Sequence, residues 1–324
     1  SGSSQVWFIS TSGGEAQQVT NLPLDVGSLV LSPDGAALAV SLEVFPDCPD
    51  LACTVERIAE TNQREATGVL YDQLFVRHWD RWEDGRRSHV FVLPVKGESE
   101  PVDVMKGMEA DAPSVPFGGP EEYTFTPDGQ AVVFTARTAG RSEPWSTDFD
   151  LFVSPLDGSH EPRLITTENR AWDTAPMFSP DGRWLAYLAM ERPGFEADRF
   201  RILLREWPHG ETRVLTQDWD RSVGSMTFSP DGQSLLVTAQ NLGNTSLFSI
   251  DVGSGEVTQL IREGTVRSPA YAGRRLVFGM DHFQSPVEIY SAALDGSDVR
   301  PITGINGKRL AAVKLGEAEQ MTFQ

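Results

Sequence analysis

Phe178-Ser179-Pro180-Asp181-Gly182 spells out a turn. Proline holds φ at about −65° in the first central position, aspartate tolerates the second, and glycine takes the left-handed position that closes it. The serine before the proline can bond back to the turn's own backbone. The phrase recurs as Phe228-Ser229-Pro230-Asp231-Gly232 and, with one residue varied, as Leu31-Ser32-Pro33-Asp34-Gly35 and Phe125-Thr126-Pro127-Asp128-Gly129. Arg267-Ser268-Pro269 with Ala272-Gly273 is a worn copy. A type I turn followed by a left-handed glycine is a common hairpin loop. One copy would say little, but five define a repeat.

The segment after each turn alternates like a half-buried strand: Leu38, Val40, Leu42; Val132, Phe134; Trp184, Ala186, Leu188; Leu235, Val237; Leu276, Phe278. A second hairpin follows in each unit, an apolar strand and a glycine turn leading to a strand that ends near Leu-Thr or Ile-Thr. Phe152 through Gly158 to Thr166 and Leu203 through Gly210 to Thr216 show the pattern. Each unit therefore reads as a four-stranded antiparallel blade. The prolines are 53 and 50 residues apart along Pro127, Pro180 and Pro230, near the spacing of propeller repeats. The expected fold is all-β, a β-propeller of four-stranded antiparallel blades with a partly helical insertion. A pair of β-sandwiches would not repeat one turn at one interval.

Composition narrows the function. With 40% hydrophobic and 23% charged residues the 324-residue chain has the makings of an ordinary core. A net charge of −19 argues against nucleic acid as a partner, and no run is long and apolar enough to cross a membrane. Ser1-Gly2-Ser3-Ser4 has no signal-peptide core, which leaves a removed leader open. Gly-x-Ser-x-Gly, Gly-x-Gly-x-x-Gly, Walker and His-Glu-x-x-His motifs are absent. The five histidines, His78, His89, His160, His209 and His282, are scattered. Neither a catalytic set, a metal site nor a cofactor is expected.

Two irregularities carry the information. The chain opens at Trp7 with half a blade and counts five full units after it, so a closed ring is expected to need strands outside this sequence. The second irregularity is the 94-residue interval from Pro33 to Pro127, which holds one blade's strands and a surplus at Glu43–Arg87. Cys48 and Cys53 fall there. A local disulfide is the better reading, hence an oxidising compartment, with two buried free thiols as the alternative. A short helix is expected over Thr54–Glu60 with Thr54 as its cap. Arg77, His78, Trp79, Asp80, Trp82, Glu83 and Asp84 then crowd into a few residues. Such a set suits a small polar or peptidic ligand: carboxylates for an ammonium, Arg77 for a carbonyl or carboxylate, Trp79 or Trp82 for an apolar side chain. The alternative is a charged loop whose acids and arginines pair with each other while the tryptophans pack on the sheet. Glu43 is a further candidate where the excursion leaves the sheet, with Asp281 and His282 behind it.

The blades resemble the N-terminal propeller of prolyl-oligopeptidase-type serine peptidases. The excursion, Glu43-Val44-Phe45-Pro46-Asp47-Cys48, Asp50-Leu51-Ala52-Cys53-Thr54 and Tyr71–Asp80, is similar to the dipeptidyl peptidase V branch, which overlaps with the acylaminoacyl peptidases. Blades alone are shared with TolB-like binding propellers, which remain the alternative. The resemblance implies about seven blades in the full protein. It also implies a propeller over residues 1–308, interrupted by 43–87, and a linker at 309–324 leading to a C-terminal α/β-hydrolase domain. That domain would carry the Ser, Asp and His, so this chain alone is expected to hydrolyse nothing. By the same resemblance the propeller gates short peptides and holds their free N-terminus, with Glu43 and the Arg77–Asp84 stretch as its substrate-binding residues. The location implied is periplasmic or secreted, and a homodimer of the full-length enzyme stays open.

Overall fold

The computed structural model describes residues 3–97, 99–321 and 323. Its repeated turns share one hydrogen-bond pattern. In the first copy the Ser32 hydroxyl donates to Asp34 Oδ1 at 2.6 Å and accepts from the Ala37 N–H at 2.8 Å. Asp34 Oδ1 also accepts from the Ala36 N–H at 3.0 Å. Thr126–Asp128, Ser179–Asp181 and Ser229–Asp231 repeat the hydroxyl–carboxylate bond at 2.6 Å each. Aspartate is therefore the hub of the turn and not just tolerated there. The hydroxyl bond holds all four carboxyls below the usual aspartate range. Gly35, Gly129, Gly182 and Gly232 lie at φ between 64° and 71°, where a Cβ is strained. The worn copy differs. Ser268-Pro269 sits inside the strand Thr265–Ala272 at a register shift between Arg267 and Ala270, and Gly273, at φ 61°, makes the turn after it.

Among the described residues, three four-stranded antiparallel sheets and one eight-stranded sheet follow a two-stranded one, Trp7–Phe8 with Gln17–Gln18; the eight-stranded sheet is two four-stranded antiparallel sets joined by one parallel pairing, Thr245 with Thr265. The first four-stranded set comprises Leu29–Leu31, Ala37–Val44, Arg87–Pro94 and Val102–Asp103. Tyr123–Phe125, Ala131–Ala136, Asp150–Pro155 and Arg163–Leu164 form the second. The third comprises Asp173–Phe178, Trp184–Ala189, Arg201–Glu206 and Thr212–Val214. Val223–Phe228, Ser234–Asn241, Asn244–Asp251 and Val257–Ile261 make the fourth. The fifth comprises Thr265–Ala272, Arg275–His282, Ser285–Ala293 and Arg300–Pro301. These are propeller-like blades. By contact the chain divides into two compact units, Ser1–Phe178 with Tyr187–Asp198, and Ser179–Ala186 with Arg199–Gln324.

Within the first unit the blades stack face to face. One side of the first blade, Ala39, Val90 and Val92, packs with Tyr123, Phe125, Val132 and Phe134 of the second. The other side, Leu38, Val40, Leu42 and Phe91, packs with Val6, Val19 and Leu22 ahead of it. In the second unit, Leu236, Leu247 and Ile261 meet Val266, Leu276 and Phe278 in the same way. The second strands were expected to be half-buried, but Ala37–Val44, Ala131–Ala136 and Ser234–Asn241 are buried on both faces. Small residues such as Ala39 fill the second face, which hides it from a hydropathy count. In the fifth blade Arg275–His282 keeps the half-buried alternation.

The Leu-Thr and Ile-Thr endings have a physical role. The Oγ1 atoms of Thr20, Thr166, Thr216 and Thr303 accept from the N–H groups of Val6, Leu151, Ile202 and Ile289 at 2.8, 2.9, 2.9 and 2.9 Å. Three of these threonines also donate to a side chain just before that N–H: Gln5, Asp150 and Glu288. The threonine closes the blade's last strand where its ladder has ended. Thr166→Val, which keeps the shape but removes the acceptor of the buried Leu151 N–H, is expected to cost about 1–3 kcal/mol in urea unfolding, and Thr166→Ser less.

Asp150 neighbours a second acid, Asp173, which is fully buried. Burial, then the charge of Asp150 and Asp148, pushes Asp173 up to about 7 against the bond from Asn169. Burial and Asp148 push Asp150 up to about 6 against Thr166 and Arg170. Both pKa values lie above those of the unfolded chain, so the native state binds extra protons between about pH 4 and 7. These two groups therefore make the protein lose stability as pH rises through that window and level off above it. Asp173→Asn is expected to raise the melting temperature at pH 8, with little change at pH 5, in thermal scans at the two pH values.

Candidate functional site

In each antiparallel blade the turn joining the first two strands, Pro-Asp-Gly in the first four, and the turn joining the last two lie at one end. The connection between the second and third strands and the linker to the next blade lie at the other. The excursion is a second-to-third connection. It leaves after Val44 and returns at Arg87, residues that are still strand partners. Its start is built by Cys48, bonded to Cys53 with Cα atoms 5.6 Å apart, and by the helix Leu51–Asn62. The helix begins earlier than the expected Thr54. Asp50 is the cap, accepting from the Cys53 N–H at 2.8 Å, while the buried Thr54 turns inward and its Oγ1 accepts from the Phe45 N–H at 3.4 Å. Arg57 grips Asp47 with two bonds of 2.7 and 2.9 Å and lies over Phe45.

After the helix the chain forms a small hairpin, Arg77–His78 against Arg81–Trp82, with Trp79-Asp80 at its tip. Trp79 is at φ 46° and 66% exposed, and Trp82 is 61% exposed. Trp79 meets the exposed Phe117 edge-on at 5.2 Å, and Trp82 stacks on Tyr71 at 6.1 Å. The Arg77 guanidinium donates to the Trp79 carbonyl and faces the Trp82 ring. His78 Nε2 is 3.5 Å from Glu83.

The hairpin borders a cleft of about 1060 Å³ within the first unit. Glu43, His78, Trp79 and Asp80 line it; Trp82, Glu83 and Asp84 line a smaller crevice that shares Glu43, Arg81 and Arg86 with it. Arg77 lines neither. Arg81 pairs with one Glu43 oxygen and Arg86 Nη1 lies 3.4 Å from the other. Asp80 is exposed and has no hydrogen bond or ion pair among the described residues. The floor is small and hydroxylic: Ser28 and Ser41 hydroxyls lie 3.0 Å apart, and Ser28 meets Tyr123 at 2.9 Å. Burial pushes the Tyr123 phenol up to about 12 against that bond.

The linker 113–120 forms the far wall, tied down by buried Glu122. Its carboxylate accepts from the Ser114 N–H at 2.6 Å and hydroxyl at 2.9 Å. Burial raises the Glu122 pKa against these bonds. A Cβ on Gly118 would lie 2.4 Å from both Glu122 Oε2 and the Ser114 nitrogen, so the wall needs glycine there. Behind the cleft, Arg87 bridges Asp111 and Glu143 at 2.8 Å each. Burial works against the Arg87 charge, but Glu143 and Asp111 outweigh it and raise its pKa. Burial, with the charge of Asp111, raises the Glu83 carboxyl. At Asp84 burial is outweighed by bonds from Arg86, and its pKa falls. Sequence reasoning carried Arg81 only as part of the Arg77–Asp84 stretch, and it left out Arg86 and the wall. The run Pro113-Ser114-Val115-Pro116-Phe117-Gly118-Gly119-Pro120, turn residues around one aromatic, was the available signal. Among the described residues no group of three His, Cys, Asp or Glu side chains could hold a metal ion, and no helix is long and apolar enough to cross a membrane.

The cleft thus sits at the connection end of propeller-like blades. Comparison with known proteins narrows the chain's kinship. No family model matches the chain. It is similar to dipeptidyl-peptidase 5 of Porphyromonas gingivalis, 26% identical over 251 residues, covering 75% of this chain and 36% of the relative. Dipeptidyl-peptidase 5 of Aspergillus fumigatus is 32% identical over 203 residues, 56% of this chain and 28% of the relative. The chain thus spans well under half of each of these relatives. Among solved structures, the acylaminoacyl peptidase of Pyrococcus horikoshii aligns with a TM-score of 0.67 at 16% identity, over 96% of this chain and 43% of that one. A candidate TolB from Agrobacterium tumefaciens aligns at 0.54 and 17%, over 89% and 84%. The chain is thus a propeller-like domain related, at low identity, to those of this peptidase group.

Closing the short Cys48–Cys53 loop is worth about 2 kcal/mol by chain entropy. Thiol titration of the unfolded protein is expected to find free thiols only after reductant, and Cys48→Ser with Cys53→Ser to lower stability by about that amount.

Proposed function

We propose that this chain is the propeller portion of a serine exopeptidase that releases N-terminal dipeptides from short peptides, and that its cleft receives the peptide's free N-terminus; release of acylamino acids, whose N-terminus is blocked, is the alternative activity of the same kind of enzyme. The observation that carries the reading is Asp80: an unpaired carboxylate beside the exposed Trp79 at a peptide-sized cleft, in a chain similar to dipeptidyl-peptidase 5. Asp80 takes the ammonium, Trp79 with Phe117 the apolar side chain, and the hydroxyls of Ser28, Ser41 and Ser88 the peptide's polar groups. Glu43 is a second carboxylate for the amine. Arg77 and His78 hold the hairpin tip, and Trp82, Glu83 and Asp84 support it from the neighbouring crevice. The acidic surface, with a net charge of −19, favours a cationic N-terminus.

In this reading bond cleavage belongs to a C-terminal α/β-hydrolase domain of the same protein, reached through residues 309–324, and residues 1–308 gate access to it. The Cys48–Cys53 bond supports an oxidising location, periplasmic or extracellular. A second reading, a TolB-like binding module without a hydrolase, is favoured by the alignment over 84% of the Agrobacterium protein. A reading frame that continues into Gly-x-Ser-x-Gly supports the first, and a stop after Gln324 the second.

Asp80→Asn is expected to weaken binding of a free-amine dipeptide, Ala-Phe amide, about tenfold by calorimetry, the scale of one charge-assisted hydrogen bond. N-acetyl-Ala-Phe amide should bind both forms alike. Equal loss for both ligands, or none for either, would remove Asp80 as the amine's anchor.

A further inference from the structure

The second acid of the cleft is not vacant. Glu43 stands on the strand Ala37–Val44, opposite Ser88, and both of its oxygens face guanidinium groups. The two arginines differ in how they are held. Arg86 is fixed by Asp84, whose carboxylate accepts from its Nε at 2.8 Å and its backbone N–H at 3.1 Å. Arg81 belongs to the hairpin, is 58% exposed, and has Glu43 as its ion-pair partner. An exposed pair of this kind contributes little stability, so another cation can displace it at small cost.

We propose that Arg81 occupies the position of an incoming ammonium on Glu43 and is the residue a peptide's charged N-terminus displaces. This rests on the amine-binding reading above. The exchange is cation for cation on one carboxylate, so Glu43 stays paired while the ligand is bound and the Arg81 guanidinium turns to solvent. A neutral, acylated N-terminus cannot make the exchange, so Glu43 discriminates in favour of free amines and Arg81, as the competing cation, tempers that preference. The ion pair also ties the hairpin to the blade. Besides it, the hairpin is held near its base by the Glu83 N–H to Val76 carbonyl bond at 3.0 Å and by the Tyr71 hydroxyl on the Glu83 carbonyl at 2.9 Å. Releasing Arg81 leaves the Trp79 contact with Phe117 as the tip's tie to the far wall, and Asp80 can follow the ligand.

The prediction runs against the usual effect of truncating a cleft residue. Arg81→Ala is expected to tighten calorimetric binding of Ala-Phe amide about two- to fivefold, the range for an exposed ion pair, and to leave N-acetyl-Ala-Phe amide unaffected. In a Glu43→Gln background the same substitution should change nothing, since the competition is gone. Without ligand, Arg81→Ala should speed hydrogen exchange at the Glu83 amide. Weaker or unchanged binding of the free amine by Arg81→Ala, or an unchanged exchange rate, overturns the proposal. If Asp80→Asn still separates free from acetylated peptide, the amine-binding reading stands without it; if neither variant does, both fall.

Discussion

Each blade is an antiparallel sheet too thin to bury its own faces, and the structure depends on covering those faces with neighbouring sheets. Ala39 and Leu38, adjacent in sequence, face two different cores. Burying apolar area at about 25 cal/mol per Å² on both sides of a strand is what makes strands such as Ala131–Ala136 stable despite their length. The constraint leaves the blade faces little freedom to carry polar function. Room for long connections that meet solvent is left at the ends of the blades. The Pro-Asp-Gly and glycine turns consume one end, closing each hairpin with the fewest residues. Long connections are affordable only at the other, and there the excursion and the 113–120 wall meet.

Charge in the cleft is mostly spoken for. Glu43, Glu83 and Asp84 each face an arginine or histidine, and Arg87 is enclosed by Asp111 and Glu143. The paired groups shape the site: Arg87 and Asp111 stitch the linker to the third strand, with the Ser88 N–H on Asp111 at 2.8 Å. Buried pairs of this kind are kept because breaking one strands the other, and their net contribution to stability is small. Against this background Asp80 differs, since it is exposed and has no partner among the described residues. Its neighbours Trp79 and Phe117 leave large apolar area in water, which a folded chain does not gain from by itself.

The blade plan was legible because its signals are local. Each turn repeats Ser or Thr, Pro, Asp and Gly at fixed offsets, and those residues bond to one another within five positions of chain. Where the signal weakened, reading went astray. Ser268-Pro269 carries the turn's letters but lies in a strand, because it lacks the Asp and Gly that close the loop. The helix was placed late because both Asp50 and Thr54 are good caps by type, and only the tertiary contact of Thr54 with Phe45 decides between them. The Leu-Thr endings were visible as a pattern without a cause, since each threonine's partner is about fifteen residues away.

The candidate site was legible as a place more than as a set of contacts. The overlong interval between Pro33 and Pro127 marked Glu43–Arg87, and its crowding of arginines, acids and tryptophans named the groups that gather there. Composition alone could not tell which acids pair and which stay free. Arg81 on Glu43 joins residues 38 apart, and Phe117 against Trp79 joins two connections that share no local pattern. The sequence by itself determined the repeat, its turns and the location of the insertion, because those follow from backbone preferences a few residues wide. Tertiary structure decided that the strands are covered on two faces, that Glu43 is held while Asp80 is open, and that a proline- and glycine-rich linker completes the cleft. Those outcomes depend on which distant segments share one end of a blade, and short-range chemistry carries no record of that.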